Sequence, residues 1–136
     1  MHTNQQRYAQ KAFKQTSAIA EEYKKGTKEG DKYRKKYGSM AHKLPLLIRT
    51  AGLAQAFAFV QAKDETAYTD LLNHLATAVN WPNAATGEQL AAKSRSAHLD
   101  NYILLTRRVT AALIWYKRFA ESVLDVKPTD DGGDDS

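Results

Sequence analysis

YGSMAHKLPLLIRTAGLAQAFAFVQAK, residues 37–63, is the stretch that decides the fold class. Its apolar residues recur at helical spacings on both sides of Gly52, and all of its charged residues are basic. Pro45 predicts a kink, or a helix start near Leu44, because proline lacks a backbone donor and clashes with the preceding turn. The stretch therefore predicts two short helices packed into a core, with a positive surface left outside.

The same periodicity extends over most of the remaining chain. The predicted helices span residues 4–25, 37–50, 53–62, 64–80, 87–95 and 97–124. Thr86 and Gln89 have the spacing of a capping box at the start of the fifth of these helices. No segment shows the sustained alternation of a strand, and the last helix would be ~42 Å long. We therefore predict an all-α fold, an elongated single-domain bundle of about five to six helices.

The charge of the chain is unevenly distributed. Its net charge is +5, yet residues 130–136 carry four acids and no base, which leaves 20 basic against 11 acidic residues in the rest, a body of +9. We predict one helical domain, residues 1–126, followed by an acidic disordered tail, residues 127–136. A body this basic predicts a polyanionic partner such as a nucleic acid. The alternative is a surface that serves solubility alone.

Residues 24–36, KKGTKEGDKYRKK, form the most basic segment of the chain. They include seven basic and two acidic residues, and Tyr33 is their one apolar anchor. The composition predicts a mobile loop or the exposed start of the next helix. It is typical either of a solvated linker or of a basic arm in which Tyr33 and Tyr37 stack on bases.

The chemistry of an enzyme is missing from the sequence. There is no cysteine, and none of the four histidines pairs with another at a metal-binding spacing. No nucleophile elbow and no phosphate-binding glycine motif occurs. We predict no catalytic residue, no metal and no cofactor. The longest apolar runs are too short to cross a membrane, so we expect a cytoplasmic protein with no membrane partner.

Basic residues cluster instead in the last predicted helix. Arg107 and Arg118 lie eleven positions apart, three helical turns, and so are almost aligned. A regular row of guanidinium groups can follow a sugar–phosphate backbone. The alternative is ordinary helix solubility, with Lys117 or Arg118 paired to Glu121. Trp115 is interpreted as a core or subunit-interface residue.

Two motifs together resemble a known family, the small helical subunit of the type III-B CRISPR effector, or Cmr complex. The first is the stretch quoted above, with Tyr37-Gly38, Leu44-Pro45, Gly52-Leu53 and Lys63. The second, YILLTRRVTAALIWYKRFAE, holds Tyr102, Thr106, Trp115, Lys117, Arg118, Phe119 and Ala120. RYAQKAF, residues 7–13, also fits, and the resemblance covers about residues 4–124. Tyr116 departs from it, since an aliphatic residue is expected there.

The resemblance implies a non-catalytic, RNA-binding subunit of an antiviral ribonucleoprotein. Its expected partners are the guide RNA and the target RNA, the large and backbone subunits of the complex, and neighbouring copies of itself. The residues expected to contact the RNA backbone are Lys43, Arg49, Arg95, Arg107, Arg108, Lys117 and Arg118. Two rival interpretations remain open, a stand-alone helical nucleic-acid-binding regulator and a protein-only scaffold.

Overall fold

The computed structural model describes residues 3–130, which contain six helices and no strand. The helices are α1 (Asn4–Glu22), α2 (Lys28–Ala51), α3 (Leu53–Lys63), α4 (Thr66–Val79), α5 (Gly87–Ser96) and α6 (Leu99–Ser122). The predicted all-α fold is therefore confirmed. The capping box at Thr86 is also confirmed, because the Thr86 hydroxyl accepts from the Gln89 backbone N–H at 3.1 Å while the Gln89 side chain reaches back.

Helix α6 is central to the packing. Both α1 and α2 lie along it, α4 contacts α1, α2 and α5, and α3 packs mainly against α2 and α5. Leu105, Val109 and Leu113 of α6 are fully buried in this core. Because α6 is buried along only one side, its other side is left to face solvent or a partner.

Several polar groups inside the core are paired, those of Tyr37, His74 and Tyr116 among them. The Tyr37 hydroxyl lies 2.7 Å from His74 Nδ1, and the Tyr116 hydroxyl contacts the Gln15 side chain and, at 3.0 Å, the His74 carbonyl oxygen. Burial raises the pKa of Tyr37 and lowers the pKa of His74. Tyr116 is fully buried where an aliphatic residue was expected, and these hydrogen bonds offset the cost of burying its hydroxyl.

Of the two alternatives for residues 24–36, the start of the next helix is confirmed from Lys28 onward, whereas the predicted exposure is wrong for Tyr33, Arg34 and Lys36. Helix α2 begins at Lys28, continues through Pro45 without a break, and buries Tyr33, Arg34 and Lys36. Arg34 donates to the carbonyl oxygens of Tyr23 and Ala20 at 2.7 and 3.0 Å, which satisfies acceptors left open at the end of α1. Cations can therefore be buried here, since their charged groups have fixed partners.

Residues 124–130 pack back onto α2. Leu124 and Val126 are buried, and the Val126 carbonyl oxygen lies 2.9 Å from His42 Nε2. The Ser39 hydroxyl donates to the Asp130 carbonyl oxygen at 3.2 Å. Residues 127–130, the first four of the predicted tail, thus end against α2, whereas residues 131–136 lie outside the described residues.

Candidate RNA-binding surface

The seven predicted RNA-contacting cations lie on three helices. Lys43 and Arg49 belong to α2, Arg95 to α5, and the other four to α6. Arg108 and Lys117 are half-buried, and the other five side chains are exposed.

Helix α6 brings Arg107 and Arg118 together on one line. By helical geometry they lie roughly 20° apart around the axis and about 16 Å apart along it. Both lie on the side opposite Val109 and Tyr116, which face the core. Arg108 and Lys117 are on opposite flanks of the helix, roughly half a turn from each other. The two aligned arginines are therefore the pair that a single linear partner could contact at once.

Aromatic rings hold two of these guanidinium groups in place. Arg118 lies over the Trp115 ring, 4.8 Å from its centroid, and Arg108 lies 5.4 Å from the centroid of Trp81. The Trp115 indole is itself fixed by a 2.8 Å hydrogen bond to Gln5. Such contacts leave the outer N–H groups of an arginine free to donate, so less side-chain entropy is lost when a phosphate binds.

The alternative in which the α6 cations are paired along the helix is not seen. Within residues 3–130 the salt bridges join Lys25 to Asp125 and Lys36 to Glu65. None of the seven predicted cations takes part in them. Their charge is therefore not neutralised by a described carboxylate, which is the state required for contact with phosphate.

The structure adds a second line of cations, of which the sequence interpretation had assigned only Lys43. Lys28, Lys32, Lys35 and Lys43 are all exposed along one side of α2, named here the lysine face. The successive lysines are four, three and eight residues apart, and this helical spacing could have revealed the lysine face in the sequence. It was missed because the predicted helix began only at residue 37, so helical spacing was not applied to residues 28–36.

The two tyrosines proposed to stack on bases are not available for that role. Tyr33 is 9% exposed and Tyr37 is fully buried. Tyr33 stacks on Tyr23 with ring centroids 3.7 Å apart, and its hydroxyl contacts Asp70. The basic-arm interpretation is therefore wrong in its aromatic part.

Over residues 3–130, no group of three or more His, Cys, Asp or Glu side chains is arranged to hold a metal ion. No helix in the same range has the length and apolarity to cross a bilayer.

Comparison with known proteins gives matches over nearly the whole chain. The family model described as CRISPR-associated protein (Cas_Cmr5) matches residues 4–123. A Thermus thermophilus protein, the CRISPR system Cmr subunit Cmr5, is 39% identical over 125 residues, which are 92% of this chain and 99% of the relative. The chain belongs to the Cmr5 family of CRISPR-associated proteins.

A solved structure supports the same assignment to the Cmr5 family. The X-ray crystal structure of a CRISPR-associated Cmr5 family protein from Thermus thermophilus matches with a TM-score of 0.74 at 39% identity, covering 90% of this chain and 98% of that one. The resemblance to the small Cmr subunit, drawn from two sequence motifs, is confirmed. The family model ends at residue 123, so residues 124–136 lie beyond the part that it describes.

Proposed function

We propose that the chain is a non-catalytic small subunit of a type III-B CRISPR Cmr complex that holds guide and target RNA by its basic surface. Copies of it would stack along the complex, beside the backbone subunits and the large subunit. Membership of the Cmr5 family supports a place in that complex. Base pairing would then select the sequence, while this subunit would recognise charge and shape.

The main support for RNA binding is the alignment of Arg107 and Arg118 along α6. Both are exposed and without a carboxylate partner among residues 3–130, and they lie about 16 Å apart along α6. Two aligned guanidinium groups at this separation can contact one strand at phosphates a few nucleotides apart. Lys43, Arg49, Arg95, Arg108 and Lys117 complete the proposed set of contacts.

A protein-only scaffold remains the second candidate, and one observation favours it. Ile103 and Ile114 are 42% and 43% exposed, and helical geometry puts them within roughly 60° of Arg107 and Arg118. Exposed aliphatic side chains beside arginines are typical of protein interfaces. The outer side of α6 thus has features of an RNA-binding surface and of a protein interface.

The experiment for RNA binding replaces Arg107 and Arg118 together by alanine. If both contact phosphates, the slope of log affinity for single-stranded RNA against log salt falls by about one to two. A double variant of two exposed α1 lysines, Lys11→Ala and Lys14→Ala, is the matched control and keeps the wild-type slope. An unchanged slope in the arginine variant would remove this pair from the proposed contacts.

A further inference from the structure

One flank of α6 shares a cluster of aromatic side chains with α1. The rings of Phe13 and Phe119 meet edge to face with their centroids 5.3 Å apart, and the Phe119 centroid lies 6.1 Å from that of Trp115. We name Phe13, Trp115 and Phe119 the aromatic platform. Phe13 is 53% exposed, whereas the other two side chains are half-buried. The half-buried rings therefore hold in place a phenylalanine whose side chain is open to a partner.

The aromatic platform lies beside the two aligned arginines of α6. By helical geometry, Trp115 lies roughly 60° and Phe119 roughly 100° from Arg118 around the helix axis, and both are within about 5 Å of it along the axis. Ile114 lies roughly 40° from Arg118 in the opposite direction. The arginines thus separate the aromatic platform from the exposed isoleucines, so these two apolar groups are placed to meet different partners.

The helix positions around the platform leave its positive charge unopposed. The residues three and four positions from each member of the platform include no acidic side chain. Glu121 of α6 lies on the far side of the helix, roughly 160° from Phe119 around the axis. The Arg118 guanidinium lies 4.8 Å from the Trp115 ring centroid and forms no salt bridge within residues 3–130. Exposed rings beside such a cation fit a partner that is both aromatic and anionic, which is the chemistry of a nucleotide.

We propose that an unpaired base of an RNA strand stacks on the aromatic platform, with Phe13 as the ring that it covers, while phosphates of the same strand contact Arg107 and Arg118. This inference rests on the proposed function and adds that the subunit binds a base as well as the backbone. Every base has a π-face, so the platform accepts any sequence and requires only that the base be unpaired and splayed out of a helix.

Phe13→Leu in the full chain tests the stacking, because leucine keeps an apolar contact with Phe119 but has no π-face. We expect its affinity for a single-stranded oligouridine to fall about five- to tenfold, the lower part of the range for stacking of one base, with the salt slope unchanged. Phe13→Trp should keep the wild-type affinity. The matched control is Phe59→Leu, which removes an exposed phenylalanine of α3 that also lies beside a lysine and should bind like the wild type. Urea unfolding checks that each variant is folded.

Trp115 provides a direct spectroscopic signal for a base on the platform. In a Trp81→Phe variant of the full chain, Trp115 is the one remaining tryptophan. We expect saturable quenching of its fluorescence by oligouridine, and little quenching by an abasic oligomer that has the same number of phosphates. Equal quenching by the two strands would overturn the stacking.

The same abasic oligomer separates the base contact from the backbone contact. The wild type should bind it about five- to tenfold more weakly than oligouridine, and Phe13→Leu should lose most of that difference. If Phe13→Leu binds oligouridine as tightly as the wild type, the platform does not stack a base, and the proposed function stands if the arginine pair still sets the salt slope.

Two other outcomes would also overturn the stacking, each with a different meaning. If neither strand binds any form of the protein, the proposed function fails and the platform fails with it. If Phe13→Leu weakens only the association with a Cmr complex assembled without this subunit, and leaves oligouridine binding unchanged, Phe13 contacts a protein.

Discussion

One partly buried residue, His74, is expected to make the stability of the fold depend on pH. The His74 side chain on α4 is partly buried, and its Nδ1 shares a hydrogen bond with the Tyr37 hydroxyl of α2. Desolvation lowers the pKa of His74, and Asp70, one turn away, opposes this only in part. The folded protein therefore prefers the neutral imidazole.

This preference predicts a loss of stability in acid. Below the ordinary histidine pKa of 6.5, the unfolded chain takes up a proton at residue 74 that the folded chain resists. The free energy of unfolding should fall as the pH drops through 6.5 towards the lowered pKa of folded His74. Urea unfolding of the wild type and of His74→Gln between about pH 8 and 5 measures this, and the variant should have the smaller pH dependence. If the free energy of unfolding depends equally on pH in the wild type and the variant, His74 is not the source of the acid sensitivity.

The burial of two basic residues, Arg34 and Lys36, was not predicted from the sequence. The sequence indicates that Arg34 and Lys36 are charged, and charged residues are usually exposed. Their partners come from elements distant in sequence. Arg34 donates to carbonyl oxygens at the end of α1, and Lys36 pairs with the carboxylate of the residue before α4. Local pattern contains no information on such partners, so these two positions could not be assigned from sequence.

At the scale of elements, α2 and residues 124–130 depend on each other through Gly38. A Cβ atom built at Gly38 would lie 2.6 Å from the Val126 Cβ, which is far closer than van der Waals contact. The sequence predicted the helix around Gly38 but contained no sign that another segment crosses it. A glycine inside a helix costs about 1 kcal/mol relative to alanine, so its presence there needs a packing reason.

Gly38→Ala should therefore destabilise the protein although alanine is the better helix former. Overpacking costs typically about 1–3 kcal/mol, which exceeds the helix-propensity gain of about 1 kcal/mol in most of that range. Urea unfolding of Gly38→Ala, Val126→Gly and the double variant measures the coupling. The double variant should be less destabilised than the sum of the single changes, because glycine at position 126 has no Cβ for the new methyl group to meet. Simple additivity would mean that the two residues do not compete for space.

At the scale of the whole molecule, the fold was predictable and the arrangement of the surface was not. Helical periodicity determines which residues of each helix face inward, and that sufficed for an all-α bundle. The mutual placement of Lys43, Arg95 and Arg107, on three different helices, follows from tertiary packing. Only relations within one helix, such as Arg107 with Arg118, could be derived from spacing alone. The lysine face would have been equally visible had α2 been extended to Lys28.

The outer side of α6 yields the prediction that separates a subunit contact from an RNA contact. Ile103 and Ile114 are exposed and lie beside the aligned arginines. Replacing both by glutamine should change the free energy of unfolding by less than about 1 kcal/mol, because the helix is kept and little core packing is lost. If a neighbouring subunit covers this side, the loss of two apolar contacts weakens association about ten- to a hundredfold.

Binding of the purified variant to a Cmr complex assembled without this subunit measures that loss. Leu46→Gln with Phe59→Gln removes two other exposed apolar side chains, from α2 and α3, and serves as the matched control. The salt slope for free RNA should stay at the wild-type value in the Ile103 and Ile114 variant, since no cation is removed. Full association of this variant would mean that the aliphatic residues face solvent in the complex. Because RNA slope and subunit affinity are measured separately, the arginines and the isoleucines of one helix side can be assigned to different partners.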